Sequence, residues 1–226
     1  SIDELKGHLE SSALTIGTFD GMHRGHLHLI DELIESSKSD GAPSVVVTFS
    51  PNPFTVLNNI DSQEYHLIED SCKYEILDSM GVDFLLELSF DRKMADISAK
   101  DFLRDFIITP FNPQGIIIGY DHHFGKNRLG NKEFLKKNQN DCNYNLKIVG
   151  PFTVDNQIVS SSLIRKLSSS TTNIDYLYTD NSYQNWQIKY VHNYTIDPSQ
   201  DIKFDLEYVS NHNYYAETGQ DLDTRT

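Results

Sequence analysis

The chain has 226 residues, 38% of them hydrophobic, and carries 19 basic side chains against 33 acidic ones, a formal net charge of −14. That length holds one sizeable domain with a small appendage, and the acidic balance argues against a nucleic-acid surface, which needs basic patches. No apolar run approaches the roughly 18 residues that cross a bilayer, the first residues lack the basic and apolar parts of a signal peptide, and Cys72 and Cys142 make no disulfide framework, so a cytoplasmic protein with free thiols and no membrane partner is expected.

In chain order, Ala13-Leu14-Thr15-Ile16 is short, apolar and partly β-branched, which predicts a buried strand over 13–17. Gly17-Thr18-Phe19-Asp20-Gly21-Met22-His23-Arg24-Gly25-His26 follows, and apolar residues then recur at helical spacing, predicting a helix over 26–38. His23 and His26 therefore stand where a strand turns into a helix, beside free N–H groups and the positive end of the helix dipole. Such a place suits a phosphate chain. A zinc reading is weaker, because no nearby cysteine or carboxylate completes a ligand set.

Further strands are expected over 44–49, 82–88, 115–119 and 146–149, and further helices over 65–79, 98–108, 131–138 and 161–167. Alternation of this kind predicts an α/β fold with a doubly wound parallel sheet, whose ligands bind beyond the carboxyl ends of the strands. Two more polar segments, 48–54 and 119–130, come just after predicted strands, and 153–159 leads into a serine cluster at a helix start. Anionic ligands would need a local positive site, for which Arg24, Lys126, Arg128 and Arg165 are candidates.

The rest of the chain reads differently. Ser168-Ser169-Ser170-Thr171-Thr172-Asn173 is linker-like, and Trp186, Ile188 and Tyr190, then Ile202, Phe204, Leu206 and Tyr208, alternate with polar residues around a turn at 197–201. A hairpin-like tail over 168–226 is expected beside a main domain over 1–167. Its half-apolar strands must rest on the domain, on further tail strands or on a second subunit, and the alternative expectation is partial disorder, especially after Tyr215.

His23-Arg24-Gly25-His26 is similar to the His-x-Gly-His signature of the nucleotidylyltransferases. Val46-Val47-Thr48-Phe49-Ser50-Pro51-Asn52-Pro53-Phe54, the run from Ile118 through Gly119, Asp121, Phe124, Gly125 and Arg128 to Gly130, and Val159-Ser160-Ser161-Ser162-Leu163-Ile164-Arg165 occur in the order of the prokaryotic FAD synthetases. In that family they form the FMN adenylyltransferase part of a bifunctional riboflavin kinase/FMN adenylyltransferase. The resemblance covers about residues 1–167. It implies transfer of the adenylyl group of ATP to FMN, giving FAD and pyrophosphate, with magnesium held mainly through phosphates and water and no protein metal cage.

The resemblance also implies site roles. His23, His26 and Arg165 would be catalytic. Gly17, Thr18, Phe19, Asp20, Gly25, Ser161, Ser162 and Arg165 would bind ATP. Pro51, Asn52, Pro53, Phe54, Asp121, Phe124 and Arg128 would bind flavin, with Asp121 reaching either the flavin or a water on magnesium. Asn52 stands where many relatives have histidine, and Ser162 replaces a threonine while keeping its hydroxyl. The kinase's Pro-Thr-Ala-Asn motif is not found in the tail, so riboflavin phosphorylation is not expected of this chain. Two rivals remain at this stage: a nucleotidylyltransferase with another phosphorylated acceptor, such as a cytidylyltransferase or a pantetheine-phosphate adenylyltransferase, and a non-catalytic flavin- or nucleotide-binding module with a partner-binding tail.

Overall fold

In the computed structural model, which describes residues 9–61, 65–154, 156–168, 189–197 and 200–207, the apolar runs read as strands pair into one parallel sheet. It consists of β1 (Ser12–Ile16), β2 (Ser44–Ser50), β3 (Phe84–Ser89), β4 (Pro113–Gly119) and β5 (Asn145–Val149), in the order β3-β2-β1-β4-β5. Leu14 pairs with Val45 on one side and Ile116 on the other, Val45 with Phe84, and Ile116 with Leu146. This is the doubly wound sheet expected from the alternation of elements. Strand order reverses at β1, so a crevice opens beyond the carboxyl ends of β1 and β4, where such sheets take their ligands.

Successive strand residues face opposite sides. Leu14, Ile16, Val45, Val47, Ile116 and Ile118 meet Phe102, Leu103, Ile107 and Phe111 in one core. Ala13, Thr15, Val46 and Ile117 are buried on the other side, where α1 (Arg24–Asp40) packs on β1, β2 and β4 through Leu29, Ile30 and Leu33. Strands covered on both faces read as continuous apolar runs, which is why they were legible.

Three helical boundaries depart from expectation. The helix expected over 65–79 starts only at Asp70, as α3 (Asp70–Ser79), because the preceding residues form a loop whose Leu67 N–H donates to the Asp20 carboxylate at 3.0 Å. Residues 53–58 form a short helix, α2 (Pro53–Asn58), in a segment read as a strand followed by two prolines. Asn52 caps it, its Oδ1 accepting from the Phe54 N–H at 2.9 Å, and Pro53 takes the first helical position, where its missing N–H costs nothing. Replacing Asn52 by alanine is expected to lower stability by about 1 kcal/mol. An unchanged urea midpoint would show that the cap contributes nothing.

The helix expected over 98–108 is interrupted. After the short α4 (Arg92–Ala95), α5 (Ala99–Phe102) is capped by Ser98, widens into π-type turns over Leu103–Ile108 and closes as α6 (Thr109–Phe111). Pro110 cannot donate to a helical carbonyl, and its ring would crowd the turn before it. The wide turns, in which Thr109 N–H reaches Arg104 O, make room for it.

The loop after β4 runs through a single 3-10 turn at Lys126–Arg128 into α7 (Lys132–Asn138). A two-residue ribbon, β6 (Thr153–Val154) with β7 (Gln157–Ile158), then precedes α8 (Ser161–Ser168). The chain divides into two compact units, Ser1–Arg165 and Lys166–Thr226. In the second, β8 (Lys189–Asp197) and β9 (Gln200–Glu207) form an antiparallel ribbon that sets Tyr190 opposite Leu206 and Tyr194 opposite Ile202. The linker at 169–173, Trp186, Ile188, Pro198, Ser199 and Tyr208 lie outside the described residues. Among the described residues, no helix is long and apolar enough to cross a membrane.

Candidate active site

The turn from β1 to α1 is built around small residues and buried rings. Gly21 adopts φ +82°, and a Cβ there would stand 2.8 Å from Leu67 Cδ1, so both the backbone and the space require glycine. A Cβ on Gly25 would press on the His23 ring at 3.2 Å. Phe19 is buried under the turn and meets the His26 ring edge-on, with centroids 5.5 Å apart. Gly17 N–H donates to Val47 O at 3.0 Å, and Thr48 Oγ1 donates to the Thr18 carbonyl at 3.3 Å, so the turn is tied to β2.

His23 is the N-cap of α1, and its Nδ1 accepts from the His26 N–H at 3.4 Å. An accepting Nδ1 puts the proton of the neutral ring on Nε2, which becomes a donor. The two imidazoles stack with centroids 3.7 Å apart and planes 18° from parallel. Burial lowers His23 to about 4. Burial, and then the neighbouring His23, hold His26 well below the ordinary histidine range. Both rings are therefore neutral at pH 7, and His26 Nδ1 is buried without a protein partner. A neutral donor at a helix N-terminus can stabilise phosphate charge without exchanging a proton with it.

These neutral rings link stability to pH. A histidine whose pKa is lowered on folding contributes fully above its unfolded value near 6.5, and the contribution is lost as pH falls toward the folded value. His23 alone, at about 4, represents on the order of 3 kcal/mol over that window. Burial, together with His123 and Arg128, also lowers His122 to about 4. The urea midpoint is expected to fall steeply between pH 6.5 and 5, before most carboxylates titrate; a flat profile there would overturn the neutral assignment.

Asp20 draws two distant segments to this turn through three contacts. Its Oδ1 accepts from Leu67 N–H at 3.0 Å, its Oδ2 pairs with the Arg165 guanidinium, and its carbonyl accepts from Ser161 Oγ at 2.7 Å. The start of α8 is thereby fixed against the histidine turn. Ser160 caps α8, its Oγ accepting from Leu163 N–H at 3.2 Å, and Ser162 is exposed. Arg165 Nε donates to Tyr65 O at 3.1 Å, and its guanidinium lies 3.8 Å from the centre of the Tyr65 ring.

At the end of β2, Pro51 follows a cis peptide bond, Asn52 is buried, and Phe54 is 48% exposed. Phe54 stacks on Tyr65 with centroids 4.9 Å apart. Phe124 does not join it at the surface: it is 6% exposed and packed against Phe102 at 5.3 Å and Phe134 at 6.0 Å. Its backbone pairs with Gly130 in both directions, closing the loop after β4. On that loop His123 Nδ1 lies 2.6 Å from the Asp121 carbonyl, with Arg128 approaching the same nitrogen at 3.2 Å. Lys126, a candidate positive group, is engaged by Asp96 at 2.8 Å.

The structure thus joins the 17–26 and 160–165 segments through Asp20, and the 17–26 and 48–54 segments through Thr18 and Thr48. Tyr65 and Leu67 were missed by sequence reading. Their only signal is position just before an amphipathic helix, which reads as the helix itself. Among the described residues, no group of three or more His, Cys, Asp or Glu is arranged to hold a metal ion.

Against known proteins, a family model described as FAD synthetase matches residues 5–163. The chain is 34% identical over 167 residues to a bifunctional riboflavin kinase/FMN adenylyltransferase from Buchnera aphidicola subsp. Schizaphis graminum, covering 73% of this chain and 53% of that protein. It is 30% identical over 157 residues to the protein of the same description from Escherichia coli K12, covering 70% and 50%. The chain spans about half the length of these relatives. A crystal structure described as a macrolide-efflux protein from Streptococcus pneumoniae superposes with a TM-score of 0.61 at 27% identity, covering 70% of this chain and 51% of the other.

Proposed function

Because the chain belongs to the FAD synthetase family, we propose that it makes FAD by transferring the adenylyl group of ATP to FMN. The carrying observation is the stacked, buried pair of neutral histidines at the N-terminus of α1, with Arg165 held against the same turn by Asp20. An FMN phosphate oxygen bonds to the α-phosphorus, the bond from that phosphorus to the bridging oxygen breaks, and pyrophosphate leaves with the electron pair. The phosphate nucleophile is already ionised at neutral pH, so the protein's work is placement and charge stabilisation.

His23 and His26 donate to the α-phosphate. Arg165 offers the N–H groups not used by Asp20 and Tyr65 to the β- and γ-phosphates, with Ser161 and Ser162 beside it. Gly17, Thr18, Phe19 and Gly25 shape the turn that the nucleotide approaches. Asp20 acts through Arg165 and Leu67, since its carboxylate is already engaged by protein groups. Pro51, Pro53 and the open face of Phe54 form a wall for the flavin, with Asn52, Asp121 and Arg128 as its polar neighbours, and Phe124 supports the loop from the core side. Magnesium fits as a cation carried on the triphosphate and water, where it neutralises phosphate charge.

We assign this activity to residues 1–167, a cytoplasmic setting that suits the free thiols of Cys72 and Cys142, and a subunit contact, if any, to the ribbon of β8 and β9. Incubation with FMN, ATP and magnesium should yield FAD and pyrophosphate in equal amounts by chromatography, and riboflavin in place of FMN should yield no FMN. Flavin bound but never adenylylated would identify a binding module instead.

A further inference from the structure

Tyr65 belongs to none of the sequence motifs, yet its ring touches a residue of each proposed subsite. Phe54, at the flavin wall, stacks on it at 4.9 Å and 19° between planes. The Arg165 guanidinium lies over it at 3.8 Å. Two planar groups that close cannot share one face, so the tyrosine ring is sandwiched between them. We propose that Tyr65 is a positioning residue: it holds the Arg165 fork in the orientation that meets the ATP phosphates and braces Phe54 in the same stack. This rests on the adenylyl-transfer reading above.

The physical case starts from arginine. Its side chain has several free torsions and loses rotamer entropy when a ligand fixes it. Here three contacts remove that freedom beforehand. Asp20 takes one terminal nitrogen, the Tyr65 carbonyl takes Nε, and the Tyr65 ring covers a face. The remaining N–H groups stay available to a bidentate phosphate contact. Any residue at 65 supplies the carbonyl, so the ring's part can be separated by substitution. A cation over an aromatic face is favourable, and its loss changes an equilibrium by about threefold to thirtyfold.

The test is steady-state kinetics of the full chain with Tyr65→Leu, Tyr65→Phe, Arg165→Lys and the Tyr65→Leu/Arg165→Lys double variant, alongside calorimetric titration with magnesium–ATP. Tyr65→Leu should lower kcat/KM for ATP by about tenfold, with the KM for FMN changed less than the ATP term. Tyr65→Phe, which keeps the ring, should restore most of the loss. In the Arg165→Lys background, where the planar fork is gone, Tyr65→Leu should cost little further. A full additional loss in that background would overturn the proposal, because Tyr65 would then not act through Arg165. So would a larger loss in FMN than in ATP, which would make Tyr65 a flavin contact.

If the parent binds magnesium–ATP but forms no FAD, the adenylyl-transfer reading fails, and the titrations still decide this one. Weaker ATP binding by Tyr65→Leu than by Tyr65→Phe supports it. Equal heats for the parent and Tyr65→Leu, including none from either, overturn it. Should Tyr65→Leu not fold, Tyr65→His, which keeps a planar ring, replaces it in a comparison with Tyr65→Phe: nearly equal ATP binding by both supports the stack, and a tenfold gap overturns it.

Discussion

Replacing His26 by alanine is expected to lower turnover by about 10²–10³ while leaving the KM for ATP little changed. The ring is neutral because burial and the adjacent His23 disfavour its charge. In the proposed reaction it would stabilise charge as a hydrogen-bond donor, and a donor placed where charge grows acts mainly in the transition state. Its Nδ1 has no protein partner, so truncation strands no protein group in the interior by that route. What would be lost is the proposed interaction with the reacting phosphate, together with the stack on His23 at 3.7 Å. Pre-steady-state measurement of FAD formation separates this from slow product release. A variant that kept turnover within a few-fold and bound ATP more weakly would make His26 a ground-state ligand.

Replacing Asp20 by alanine is the largest stability effect expected, about 3–5 kcal/mol. The carboxylate is 8% exposed and holds both the Leu67 N–H and Arg165. Removing it leaves a half-buried guanidinium without its counter-charge and an amide without its acceptor. Asp20→Asn keeps an acceptor for Leu67 and should fall between alanine and the parent. Urea unfolding of the three proteins at pH 7.5 checks the order. Loss of ATP affinity should accompany it, since Arg165 loses one of its three restraints. An alanine variant within about 1 kcal/mol of the parent would show that the pair behaves as an exposed one.

The central strands β1, β2 and β4 were legible because they are covered on both sides and leave unbroken runs such as Val45-Val46-Val47 and Ile116-Ile117-Ile118, whereas the edge strands β3 and β5 are largely exposed. The histidine turn was legible because glycines, a preceding strand and a following helix all marked the same residues. What escaped is tertiary in origin. Nothing local says that residues 66–69 leave the helical path to satisfy Asp20, or that Tyr65 serves two neighbours at once. Phe124 shows the converse limit, since an aromatic inside a motif does not reveal its burial in the sequence. The helix at 53–58 was readable in principle, because Asn-Pro is a cap followed by a residue suited to the first helical position.

The Asp20 hub also has a consequence for the order in which the molecule is made. Ser161 reaches Asp20 across a sequence separation of 141 residues, and Arg165 reaches Tyr65 across 100. During synthesis the paired strands can collapse while α8 is still inside the ribosome, because domains fold as their residues emerge. The loop-closure entropy of these distant contacts is met only afterwards. A released chain ending before Ser161 would therefore hold every strand of the sheet but have an open hub. The proposed grip on a triphosphate would then be acquired in a last, distinct step, after the scaffold exists.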